Sequence, residues 1–178
     1  MQERIIFAGF GGQGVILAGK LVCVAAMHEN KQVTHIPSYG AEMRGGTANC
    51  SVVISDEVIA SPLVPNPSIC VVMNKPSLLK FEPRLAPGGL LIYNESLIEV
   101  KPTRTDITVV PVKANDIAIE EGGAKAANMI VTGLLLKLRP ELAGLDSALK
   151  AVDKVVSSRN KALNELNRKC LSRGFSLA

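Results

Sequence analysis

The stretch Arg4-Ile5-Ile6-Phe7-Ala8-Gly9-Phe10-Gly11-Gly12-Gln13-Gly14-Val15 joins an apolar run to a cluster of glycines. A run without alternation, bounded by glycines, reads as a strand covered on both faces, as in a parallel sheet. From Gln13 to about His28, the residues Val15, Ile16, Ala18, Leu21, Val22 and Ala25 recur at helical spacing. Asn30 is a stop signal, and residues 32–36 form a second short apolar segment. Strand, glycine turn, helix and strand together predict a β-α-β unit, with a right-handed crossover and parallel strands. The start of the chain is therefore Rossmann-like.

Further along, residues 47–54 alternate and predict a strand, with a brief antiparallel return at 58–60. Residues 69–73, 90–93 and 106–112 read as further strands. Helical stretches are expected from Pro76 to about Phe81, near residues 115–121 and over 124–138. Strands alternating with helices indicate an α/β fold, a three-layer sandwich around a mainly parallel sheet. No linker divides the chain. It reads as a single domain, 1–178, whose charged, amphipathic end from about 145 to 178 forms a long helical tail.

Of the 178 residues, 47% are hydrophobic and 20% charged, enough apolar material for a sizeable core. Aromatics make up only 3%, so the core must be aliphatic, and the scarcity argues against a nucleic-acid binder that stacks bases on aromatic rings. A net charge of +4 is mild for a nucleic-acid binder, and no nucleic-acid partner is expected. The four cysteines, at 23, 50, 70 and 170, contain no Cys-x-x-Cys pair. That spacing excludes a zinc ribbon or a ferredoxin-type cluster held by this chain alone. It fits reduced thiols in a cytoplasmic protein. The most apolar longer run, residues 15–27, is interrupted by Gly19 and Lys20 and is too short for a bilayer, so no membrane is expected.

Gly9-Phe10-Gly11-Gly12-Gln13-Gly14 satisfies G-x-G-x-x-G between strand and helix. The amides of Gly11, Gly12, Gln13 and Gly14 beside a helix start suit a phosphate, although glycines at a turn serve packing equally well. A nicotinamide-binding unit wants an acidic residue about 20 positions on, at the end of the second strand. Here that end reads His35-Ile36-Pro37-Ser38, and Glu29 precedes the strand. Residues 14–20 match the first seven positions of a P-loop, but Leu21 stands where the metal-binding hydroxyl belongs. Lys20 either reaches a phosphate or is a solvated helix lysine.

Pro37-Ser38-Tyr39-Gly40-Ala41-Glu42-Met43-Arg44-Gly45-Gly46 reads as a polar loop at the carboxyl end of a strand, where ligands of α/β sheets bind. Its Ser38 and Tyr39 hydroxyls and the Arg44 charge suit recognition, while Glu42 and Arg44 also suit a surface ion pair. Asn74 and Asn94 each follow a buried strand, placed either to face a common crevice or to form turns. From the residues alone, one reading is a freestanding dinucleotide- or nucleotide-binding Rossmann-like protein.

The glycine motif, the string from Pro37 to Thr47, Ser61-Pro62 and Met73-Asn74 together resemble the gamma subunit of 2-oxoacid:ferredoxin oxidoreductases. The likeness is strong over residues 5–94 and looser to about 138. It implies a subunit that is not catalytic alone, within a complex that decarboxylates a 2-oxo acid, passes electrons to ferredoxin or a similar acceptor and forms an acyl-coenzyme A. The loop string is closest to the 2-oxoglutarate and branched-chain 2-oxoacid types, with pyruvate a third candidate. The resemblance places thiamine diphosphate and iron–sulfur clusters on partner alpha, beta and delta subunits. It places coenzyme A at the interface, with Lys20, Arg44, Ser38, Tyr39 and Asn74 joining the glycine turn as binding residues. It leaves room for a homodimer when the chain is isolated. Exposed apolar surface for partners is expected at the 37–46 loop and at the tail.

Overall fold

A computed structural model of the chain describes residues 1–40, 46–156 and 161–178. Six strands form one sheet: β1 (Gln2–Phe10), β2 (Gln32–Tyr39), β3 (Thr47–Ser55), β4 (Ile69–Val72), β5 (Leu90–Asn94) and β6 (Thr108–Val112). Their spatial order is β2-β3-β1-β4-β5-β6. The pairs β1/β4, β4/β5 and β5/β6 are parallel, whereas β3 runs antiparallel to both β1 and β2. Five strands thus share one direction, in a mainly parallel sheet.

Ile5 to Ala8 is buried on both faces, as its unbroken apolar character requires. Ile5 and Phe7 join the larger core, while Ile6 and Ala8 join the smaller one. The larger core is roofed by α1 (Val15–His28), α3 (Ala114–Glu121), α4 (Ala127–Leu138), α5 (Leu145–Val155) and α6 (Lys161–Phe175). The smaller is closed by α2 (Lys75–Phe81), the 3₁₀ turn Glu82–Arg84 and irregular segments carrying Val64 and Ile98. The result is three layers of very unequal thickness.

Three expectations need correction. First, β2 is not beside β1. Strand β3 lies between them, so the Rossmann-like start is interrupted by an antiparallel strand that returns from the 40–46 connection. Second, residues 37–39 belong to β2 rather than to a loop, and residues 58–60 form no strand. Third, the tail is two helices packed on the body. Ala148, Ala151, Val152, Cys170 and Leu171 are all buried in the chain's own core, and among the described residues of the tail no large apolar side chain is left exposed. Glu29 helps to seat it: its Oε1 accepts the Gly144 amide at 2.6 Å, just ahead of α5. Among the described residues no helix is long and apolar enough to cross a membrane.

Candidate functional site

Connections leave β1 toward α1 on one side, while β4 lies on the other, so the sheet's switch point falls between the carboxyl ends of β1 and β4. The glycine turn stands there. Gly14 caps α1 in the left-handed region (φ 72°), where a side chain is strained, and a Cβ would lie 2.5 Å from Asn128 Nδ2. Asn128, on α4, donates to the Gly14 carbonyl at 3.1 Å and ties α4 to the turn. Gln13 locks the turn from within: Oε1 accepts the Phe10 amide at 2.6 Å, and Nε2 donates to the Met73 carbonyl at 3.1 Å. One side chain thus bridges the ends of β1 and β4.

Two depressions flank the turn. The more polar of them, a crevice of about 230 Å³, lies on the β4 side, lined by Gly12, Gln13, Met73, Asn115, Ala124, Lys125 and Ala127. A more apolar one of about 250 Å³ lies on the β3 side, with Phe10, Val15, Ile16, Tyr39 and Ala48 in its wall. The structure also brings the turn and the base of the polar loop together, because the Gly11 amide donates to the Gly46 carbonyl at 2.9 Å. Tyr39, 72% exposed, stands at the rim.

The expected binding residues divide. Gly12, Gln13 and Tyr39 line one or both depressions, and Gly11 and Gly14 line the apolar one. The amides of Gly11 and Gln13 are already committed, to Gly46 and Phe10, and so are not available to a phosphate. Among the described residues the Gly12 amide has no internal partner. Lys20 is exposed on α1 beside His35, on the β2 side, and lines neither depression. Ser38 is exposed on β2 and also lies outside both. Asn74 is buried as the N-cap of α2, its Oδ1 accepting the Ser77 amide at 2.9 Å. Asn94 is buried too, and it meets the crevice only through Asn115. Arg44 lies outside the described residues.

Lys125 was not among the expected residues. It sits in the 3₁₀ turn Ala124–Ala126 ahead of α4, and it supplies the crevice's cation. The signal for it is Gly122-Gly123 followed by small residues and an apolar helix, a second glycine-to-helix junction weaker than the first.

The four cysteines are all buried and offer no reactive thiol to the site. Burial pushes the thiols of Cys23, Cys50 and Cys70 up to about 12 and raises that of Cys170. Among the described residues no group of three or more His, Cys, Asp or Glu side chains is placed to hold a metal.

Comparison with known proteins agrees over nearly the whole chain. Residues 4–177 match the pyruvate ferredoxin/flavodoxin oxidoreductase family. Ketoisovalerate oxidoreductase subunit VorA of Methanothermobacter thermautotrophicus is 36% identical over 99% of this chain, which spans only 36% of that relative's length. 2-Oxoglutarate synthase subunit KorC of Methanocaldococcus jannaschii is 34% identical, covering 100% of this chain and 95% of its own. The crystal structure of a keto/oxoacid ferredoxin oxidoreductase gamma subunit from Geobacter sulfurreducens superposes with a TM-score of 0.81 at 30% identity, covering 97% of this chain and 96% of that one. By sequence and by fold, the chain belongs to the pyruvate ferredoxin/flavodoxin oxidoreductase family.

Proposed function

We propose that the chain is the gamma component of a 2-oxoacid:ferredoxin oxidoreductase, most directly of the 2-oxoglutarate type. One observation carries the reading: two depressions of about 230 and 250 Å³ flank a glycine turn locked at the sheet's switch point, in a chain whose four cysteines are all buried. Such a surface binds and positions while reactive groups come from elsewhere. The match to KorC along nearly the whole length of both chains favours 2-oxoglutarate, and that to VorA keeps a branched-chain 2-oxo acid as the next candidate.

In this reading the alpha, beta and delta subunits hold thiamine diphosphate and the iron–sulfur clusters, which supply decarboxylation and electron transfer to ferredoxin. Coenzyme A lies across the interface between those subunits and this chain. The polar crevice faces its phosphates, and the apolar depression beside Tyr39 suits its less polar parts. The freestanding dinucleotide-binding alternative loses its geometry, since β3 moves the end of β2 one strand away from the glycine turn.

The test is reconstitution. The chain, co-expressed with its partner subunits, is expected to complete a complex that reduces a viologen dye in the presence of 2-oxoglutarate and coenzyme A. Neither the chain alone nor the complex lacking it should do so at a comparable rate. A chain that purifies alone, binds NAD tightly and completes no such complex refutes the proposal.

A further inference from the structure

Two interlocked amides determine what the polar crevice is able to hold. Asn94 is fully buried at the end of β5. The Ala114 amide can only donate, so the Asn94 atom that meets it at 3.2 Å is the carbonyl oxygen Oδ1. Asn94 Nδ2 therefore donates in its turn, at 2.7 Å, and its acceptor must be Oδ1 of Asn115. What Asn115 retains for the crevice is its NH₂ end. Gln13 is fixed by the same logic, its oxygen spent on the Phe10 amide.

The other polar groups have the same sense. Lys125 makes no salt bridge among the described residues. Gly12, at φ 93°, has open space where a Cβ would stand, and its amide has no partner among the described residues. Among the described residues no carboxylate lines the crevice. Its side-chain lining is thus strongly biased toward hydrogen-bond donors and carries a positive charge.

We infer that this crevice is an anion subsite in which Lys125 Nζ, the Asn115 amide and the Gly12 N–H take one phosphate or pyrophosphate group. Asn94 is the positioning residue that keeps Asn115 turned donor-side out. Charge-assisted hydrogen bonds are the strong ones, and the neutral donors select against cations. At about 230 Å³ the crevice holds the anionic group and leaves the rest of a larger ligand outside. Identifying that ligand as coenzyme A rests on the function proposed above; the anion subsite does not.

Titration calorimetry on the full chain tests the inference, with inorganic pyrophosphate and coenzyme A as separate probes. Both are expected to bind saturably. Lys125→Ala should weaken binding roughly ten-fold. Asn115→Asp is nearly isosteric and half-exposed, and it keeps the bond from Asn94 while turning a carboxylate oxygen into the crevice; it should weaken binding further. Lys150→Ala, on the distant α5, should change nothing, and melting temperatures verify that all variants fold. No saturable binding by the wild-type chain, or wild-type affinity in both crevice variants, overturns the inference.

In the assembled complex, Lys125→Ala should raise KM for coenzyme A with little change in kcat. Unchanged KM there, together with variant-dependent pyrophosphate binding, upholds the subsite and removes coenzyme A as its ligand. Variant-dependent binding by a chain that forms no active complex upholds the subsite and refutes the proposed function.

Discussion

His35 shows how a single side chain sets a pH dependence for the whole molecule. It projects from β2 toward α1, partly buried, and burial lowers its pKa below the usual value near 6.5; the nearby Lys20 ammonium adds to the lowering. A histidine with a depressed folded-state pKa is bound by protons more readily in the unfolded chain. Stability therefore rises with pH through the region of 6.5, and it falls as acidification takes the pH from above that value toward the folded pKa. The urea midpoint should drop between about pH 7.5 and about pH 5.5, and His35→Gln should flatten that part of the profile. An equally steep slope in the variant would assign the effect to other groups. The same residue lies near the sequence position where a nucleotide-binding fold would keep its ribose acid. What occupies the region instead is a neutral imidazole and a solvated lysine, so the charge expected from Lys20 stays on the β2 side of α1, away from the crevice.

At the level of elements, the tightest junction is the crossing of α4 and α6. Gly133 has the Leu171 carbonyl where a Cβ would stand, and Gly174 reciprocally has the Ile130 carbonyl. Two helix backbones are in direct contact there, so neither site can yield by rotating a side chain. Gly174→Ala or Gly133→Ala should force the helices apart and cost about 1–3 kcal/mol, read as a lower urea midpoint at unchanged slope. An unchanged midpoint would show that α6 is not held by this contact. Periodicity alone made α4 legible, because its apolar residues recur at helical spacing and ten of its twelve positions are buried. The fate of the tail was not legible: an amphipathic pattern says that one face is covered, not by what. The glycines that dock α6 are separated by forty residues in sequence, and nothing local marks them as a pair. The same limit hid β3. Its alternation, with Ala48, Cys50, Val52 and Ile54 on one face, announces a strand, but its insertion between β1 and β2 is a long-range choice. Lys125 escaped for a related reason, since only the fold brings residue 125 opposite residues 12 and 13. The glycine turn, by contrast, was readable because its chemistry is local.

The molecule as a whole is built on an open sheet whose edge strands, β2 and β6, must be kept from pairing at random with another chain. Each edge strand carries a proline, and the hydrogen-bond parity shows which way it points. The Gly40 amide donates inward to the Thr47 carbonyl, so even-numbered residues of β2 face β3 and Pro37 faces outward. On β6, the Thr108 amide donates inward to Gly89 and the Val112 carbonyl accepts inward from Glu95, so Pro111 also faces outward. Each proline deletes one amide donor from the free edge without costing the sheet an internal bond. The edges are therefore guarded at no expense to the fold. Replacing both prolines with valine should leave the folded sheet intact while restoring two outward donors. The Pro37→Val/Pro111→Val chain should self-associate at concentrations where the parent shows less assembly, as measured by light scattering coupled to size exclusion. Single variants should fall between the two, because pairing needs only one competent edge. If the double variant matches the parent over the same concentration range, the edges are shielded by something other than their prolines.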